Sequence, residues 1–271
     1  MRRITIYRHR LVVRITHWIN VLCLTFLLMS GLQIFNAYPA LDWGPRTTFD
    51  SSFISMTAEQ GPDGRPVGIT TVLGHPFHTT GVLGVSAGDD GQPTARGFPR
   101  WITVPSYQDL ATGRAWHFFF AWLFVLNGAF YLIYSLATRH VSRDLVPTRH
   151  QLGEIGRTIV EHLRFRFPKG AEARHYNVLQ KLAYLVVIFV LLPLIVLAGL
   201  TMSPQMDASQ PWLLTLFGGR QSARTIHFLV ASALVLFVLV HVFMVLVSGV
   251  WNNLRSMITG RYVIEGADDE R

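Results

Sequence analysis

The chain has 271 residues, 50% of them hydrophobic and 15% charged, with a formal net charge of +8 and a mean hydropathy of +0.33. A soluble domain is about 25% charged, so these values argue against a soluble enzyme or a disordered chain. The basic residues flank apolar runs instead of lining one helix face, which argues against a nucleic-acid partner. The single cysteine, Cys23, excludes an internal disulfide, a thiolate zinc site, a cysteine-held iron–sulfur cluster and a C-x-x-C-H haem attachment.

From the N-terminus, Arg2, Arg3, Arg8, Arg10 and Arg14 lead into an apolar run at 15–35. The run exceeds a signal-peptide core, carries His17 and Asn20, and is followed by no small-residue cleavage site, so it reads as a retained helix. A segment of Gly, Pro, Asp and Thr follows at 36–114, with only short apolar patches and seven acidic residues. It reads as a long structureless loop, a type that usually carries function. Further apolar runs lie at 115–137, 179–200 and 226–250. Each of the four meets the length of about 20 apolar residues that a spanning helix needs. Pro193 predicts a local kink in the third. In the linker 138–178, Leu152, Ile155, Ile159, Leu163 and Phe167 recur at helical spacing, as in an amphipathic helix lying in the headgroup plane.

The expected fold is therefore an all-α integral membrane protein, a four-transmembrane-helix bundle forming a single domain over residues 1–271. Seventeen of the 24 Lys and Arg residues fall in the N-terminal segment, the 138–178 linker with its flank to Lys181, and the C-terminal tail. The positive-inside rule makes that side cytoplasmic, with both termini there and 36–114 in the periplasm.

Ionisable residues inside spanning helices mark functional sites, and four of the 11 histidines lie in the apolar runs: His17, His117, His227 and His241. His227 and His241 are 14 residues apart on the fourth helix, close to four full turns and roughly 21 Å along the axis. They leave one face at two depths. The topology sets His117 level with His227 on the periplasmic side and His17 level with His241 on the cytoplasmic side. Two histidines facing each other at one depth can bind a haem iron on both axial sides. Gly31 follows His17 by 14 residues and could admit a second macrocycle, or could serve helix packing alone. Gly128 and Gly199 invite the same reading less directly. Arg14, Arg114 and Arg224 stand beside the histidines and could pair with haem propionates or anchor in headgroups. The third helix has no histidine and reads as a packing wall. His9, His140, His150, His162 and His175 read as water-facing, and His75 and His78 form an H-x-x-H without enough neighbouring ligands for a metal site.

R-I-T-H-W at Arg14 to Trp18, His117 opening the second helix, His227 and His241 at their 14-residue interval, and Y-N-V-L-Q-K at Tyr176 to Lys181 resemble one family. It comprises the di-haem cytochrome b membrane subunits of nickel–iron hydrogenases, formate dehydrogenases and thiosulfate reductases, with the bacterial cytochrome b561-like four-helix fold. The resemblance covers the four helices and their basic flanks. It implies two b haems, held by His17 with His241 and by His117 with His227, in the bacterial inner membrane. It also implies electron exchange between the membrane quinone pool of a respiratory chain and a periplasmic redox protein, a molybdenum oxidoreductase or a hydrogenase-like catalytic subunit. By the same resemblance Tyr176, Asn177 and Gln180 stand near the quinone. The chain thus reads as the electron-transfer subunit of an oxidoreductase rather than a catalyst on its own. The alternatives are a self-contained b-type cytochrome acting on superoxide or a small periplasmic acceptor, and a metal-ion transporter. The transporter needs a polar path that helices rich in Leu, Val and Phe do not offer.

Overall fold

The computed structural model describes residues 2–48, 52–164 and 177–266. Among them, four helical stretches are long and apolar enough to cross a membrane: Leu11–Phe35, Leu110–Ala137, Val178–Thr201 and Arg220–Val247. An apolar helix closes every backbone hydrogen bond within itself, which is the condition for residence in hydrocarbon.

The first two are unbroken α-helices, α1 (Leu11–Phe35) and α2 (Leu110–Ala137). Both start before the apolar runs at 15 and 115, taking in Leu11–Arg14 and Leu110–Arg114, whose arginines lie outside those runs. Asp109 precedes α2 and accepts from the Ala111 and Thr112 amides and the Thr112 hydroxyl. Those bonds, the Thr112 hydroxyl foremost, hold the Asp109 carboxyl below the usual range. A carboxyl depressed in the folded state stabilises above its unfolded pKa, and that stability is lost as pH falls through the folded value. We therefore expect the amide protection factors at 111–114, corrected for intrinsic exchange, to fall in Asp109→Ala, and to fall in the native protein as pH drops below the ordinary aspartate range. Unchanged protection in the variant would remove this cap from the account of α2.

Three short elements connect α2 to the third span. A π-helical turn at Val141–Leu145 is followed by α3 (Arg149–Gly153) and α4 (Ile155–Leu163). The single amphipathic helix expected over 152–167 is thus broken at Glu154, where Gly153 ends α3; Phe167 lies outside the described residues. The third span is built from α5 (Val178–Val186), a π-helical turn at Val187–Leu191 and α6 (Leu192–Thr201). In that turn the Leu192 amide donates to Val187 O, five residues back. Pro193 has no amide hydrogen and its ring crowds the carbonyl of Phe189, so the ladder shifts register just before it. Short helices α7 (Pro204–Ser209) and α8 (Trp212–Phe217) lead to α9 (Arg220–Val247), the fourth span. Gly249, at φ +107, stops the helical run earlier than the apolar run at 226–250 suggests, and α10 (Val250–Thr259) follows.

The chain divides into two compact units. One comprises the described parts of Met1–Ile19, Asn127–Leu194 and Ser232–Arg271. In it β1 (Arg2–Tyr7) pairs antiparallel with β8 (Arg261–Gly266), Arg2 opposite Gly266 and Tyr7 opposite Arg261. Asn252 on α10 locks onto β8, its amide donating to Val263 O at 2.7 Å while its carbonyl accepts from Val263 N at 2.9 Å. The last carbonyls of α10 lack intrahelical partners. Arg14 donates to Ile258 O at 2.5 Å and Trp18 to Met257 O at 3.1 Å. His9, expected in water, is half-buried here, and burial with the nearby Arg8 charge pushes its pKa down to about 4.

The other unit comprises the described parts of Asn20–Leu126 and Ile195–Ala231. The segment expected to be structureless is folded in this unit. Strands β2 (Ala40–Leu41), β3 (Ile54–Gln60), β4 (Pro66–Val72) and β5 (His75–His78) form one antiparallel sheet in sequence order. A separate hairpin joins β6 (Val85–Ala87) and β7 (Pro93–Ala95). The turns account for the difference: Gly61–Arg65 closes β3 on β4, and Leu73–Gly74, both at positive φ, closes β4 on β5. The apolar core of the unit, Phe35, Leu41 and Met56, takes in Phe98 and Phe228, so the sheet packs directly on α1 and α9. The Gly44 carbonyl accepts from the Gln221 and Ser222 amides and thereby caps the first turn of α9.

Candidate functional site

Each unit holds one pair of facing histidines. In the first, the rings of His17 on α1 and His241 on α9 have centres 6.3 Å apart and planes at 62°. In the second, His117 on α2 and His227 on α9 are 6.2 Å apart at 63°. These are the two pairings expected from the sequence topology.

The separations fit a specific occupant. A metal–imidazole bond of about 2 Å, with about 1.1 Å from nitrogen to ring centre, puts two trans imidazoles roughly 6.3 Å apart, centre to centre. Among the described residues no group of three His, Cys, Asp or Glu could hold a metal ion. An ion in either pair would therefore need its remaining ligands from elsewhere, and a porphyrin supplies four in one plane. The residues present fit a bis-imidazole haem at both places.

The surroundings of the two pairs differ. His117 Nδ1 lies 3.1 Å from Ser30 Oγ on α1. A Cβ on the next residue, Gly31, would stand 3.4 Å from His117 Cε1. His227 Nδ1 lies 2.8 Å from Ile195 O on α6, and a Cβ on Gly199 would stand 3.2 Å from His227 Cε1. Each ring of this pair therefore rests its Nδ1–Cε1 edge on a glycine of a neighbouring helix. Gly31 does make close approach possible, and the group it faces here is the imidazole. Gly128 has nothing within 4 Å of a built Cβ. In the other unit, Phe237 stacks on His241 at 5.9 Å and Trp18 meets His17 edge-on at 5.5 Å. Asn127 on α2 donates to Thr16 O at 2.9 Å, tying α1 to α2 next to His17. Among the described residues neither His17 nor His241 has a hydrogen-bonded ring nitrogen.

The three arginines are engaged in different ways. Arg224 donates to Ala40 O at 2.7 Å and to Tyr38 O, with its guanidinium over the Phe35 and Tyr38 rings. Arg14 caps α10 as described, while its buried Nε has no hydrogen-bond partner among the described residues. Arg114 lies over the Phe118 ring at 5.5 Å. Of the residues expected near a quinone, Tyr176 lies outside the described residues. Asn177 and Gln180 form a capping box at the start of α5, Asn177 Oδ1 accepting from Gln180 N at 2.9 Å. Beside them the buried Lys181 donates to Gln151 at 3.2 Å. His75 and His78 are exposed at the two ends of β5, three residues apart and so on opposite faces.

The sequence reading missed Ser30 and the Ile195 carbonyl. A serine in an apolar helix and a backbone oxygen carry no motif. The signal that was available was Gly199, which lies four residues after Ile195 on the helix read as a wall.

A family model described as prokaryotic cytochrome b561 matches residues 8–260, which include all four spans and all four histidines. A protein of Azospira oryzae named "Putative protein-methionine-sulfoxide reductase subunit YedZ1" is 29% identical over 233 residues, covering 86% of this chain and 87% of its own length.

Proposed function

The chain belongs to the prokaryotic cytochrome b561 family, and from that premise we propose that it moves electrons across the bacterial inner membrane through two b haems. It is a membrane b-type cytochrome of electron transfer. In our reading, residues 1–271 form one cytochrome b domain that links the quinone pool to a periplasmic redox partner. His17 with His241, and His117 with His227, are the residues that would hold the two haems. A b haem so held would supply a one-electron carrier.

The observation that carries the proposal is the matched ring separation of 6.3 and 6.2 Å in the two pairs. Both pairs sit on helices apolar enough to cross a membrane. The basic flanks favour an orientation with both termini in the cytoplasm and residues 36–114 in the periplasm. On that orientation the sheet packed on Phe228, next to His227, is the surface that meets the partner. The relative's name describes a reductase subunit, and we carry over the subunit role, with a periplasmic molybdenum or hydrogenase-like oxidoreductase as partner. For the quinone we keep Tyr176, Asn177 and Gln180, the last two at the start of α5. For Arg14, whose Nε is buried and unpartnered among the described residues, a haem propionate is the fitting acceptor. Arg114 and Arg224 are assigned the same role more loosely, since both also hold aromatic faces.

The experiment is a dithionite-reduced minus oxidised spectrum of the purified chain with pyridine haemochrome quantitation. We expect two b haems per chain and their reduction by an added quinol. A folded chain from haem-replete cells that contains one haem or none would overturn the reading.

A further inference from the structure

We infer that Ser30 is a positioning residue for His117, fixing the ring's tautomer and lowering the reduction potential of the haem that His117 and His227 hold. The inference rests on the haem ligation proposed above.

The argument begins with hydrogen-bond direction. Ser30 is fully buried, its Oγ 2.6 Å from Phe26 O, 3.3 Å from Leu27 O and 3.1 Å from His117 Nδ1. Carbonyl oxygens only accept, so the single hydroxyl hydrogen goes to the α1 backbone. What Oγ presents to His117 is a lone pair, and Nδ1 must carry the hydrogen. Nε2 is then left with its lone pair for iron. The partner ligand obeys the same logic, because His227 Nδ1 lies 2.8 Å from Ile195 O, which can only accept. The Leu27 carbonyl is a second acceptor facing the His117 ring and acts in the same direction as Ser30, so both ligands of this pair are held in one tautomer by acceptors behind them.

Such a hydrogen bond makes the imidazole a stronger donor. A stronger donor stabilises ferric over ferrous iron, so it lowers the potential. Ile195 acts through its backbone and cannot be removed by substitution, whereas Ser30 can. His17 and His241 have no such acceptor among the described residues, so the haem there is an internal reference within the same molecule. The competing account is that Ser30 is a small packing residue bonded back onto its own helix, as serines in apolar helices commonly are.

The test is a redox titration of the full-length protein in detergent, with haem counted in each variant. In Ser30→Ala we expect two haems, one wave shifted upward and the other unmoved. A tenfold rise in that haem's reduced-to-oxidised ratio at fixed potential corresponds to 59 mV for one electron. Ser30→Thr keeps the hydroxyl and should return the wave. Loss of that haem in Ser30→Ala but not in Ser30→Thr would also support the role. An unmoved wave, an equal shift in both variants, or loss of the haem from both would overturn it. A native protein without two haems would instead defeat the ligation reading, and that count is taken first.

Discussion

Replacing His241 with leucine is expected to leave one b haem per chain where the native protein, on the proposed ligation, holds two. Leucine fills the space but offers no lone pair, so the site loses half of its protein ligation, and we expect its haem to be lost on purification. His17 stands 6.3 Å from His241 and no third His, Cys, Asp or Glu joins the pair among the described residues. His117 and His227 belong to the other compact unit and keep their own outer partners, Ser30 and Ile195. Their haem should survive with its spectrum and potential intact. His17→Leu must reproduce the His241→Leu spectrum, and His117→Leu or His227→Leu must each remove the complementary component. Pyridine haemochrome counts and low-temperature α-band spectra make the comparison. If His17→Leu and His241→Leu removed different components, the pairing would be wrong even with two haems present.

Asp42→Ala is expected to unfold the segment between α1 and α2 at temperatures the native protein survives. Asp42 is 1% exposed and accepts from Ser52 Oγ at 2.6 Å, Tyr38 OH at 3.0 Å and Thr48 Oγ1 at 3.3 Å, while its backbone oxygen accepts from Thr225 at 2.6 Å. Removing the carboxylate takes away the acceptor that three hydroxyls share and leaves a small cavity. A loss of about 3 kcal/mol is the scale for hydrogen bonds to a buried charge with donors left unsatisfied. Because Arg224 and Thr225 bind the same stretch of chain, the loss should spread to α9 next to His227. Trypsin in the full-length protein should then cut at Arg65 far faster than in the native chain. On heating, the His117/His227 haem should be released before the other. Unchanged proteolysis and release would show that this network is peripheral to stability.

The four spans were legible because about 20 apolar residues have few other uses. The histidine pairs were legible for a related reason: 14 residues return a side chain to the same helix face, so spacing on α9 alone fixes two levels. What stayed hidden has no local signature. Ile195 acts through its carbonyl, which every residue has. The β4–β5 hairpin turns on Leu73–Gly74, where Asn-Gly would have announced it. β5 has four residues, two of them His, and reads as loop. β1 and β8 lie at opposite ends of the sequence, so neither strand predicts the other. His9 was placed in water because its neighbours are arginines, yet those arginines are held by Tyr262 and other groups of the folded chain, and His9 is covered with them. The helix boundaries erred where polar side chains extend an apolar helix, as at Arg220 to Thr225.

The π-helical turn at Val187–Leu191 also sets a phase. It holds one residue more than an α-helical turn would, and one residue is about 100° of rotation. Every side chain and carbonyl of α6 is therefore turned by that angle from where a regular helix would carry it. Ile195 O and Gly199, which support His227, follow the turn on α6. Deleting a single residue from that turn would preserve the apolar length and hydropathy of the span while swinging this support away from the ring. In homologues, gaps at this point of the third helix are thus a sign of a differently supported histidine rather than of a shorter membrane crossing.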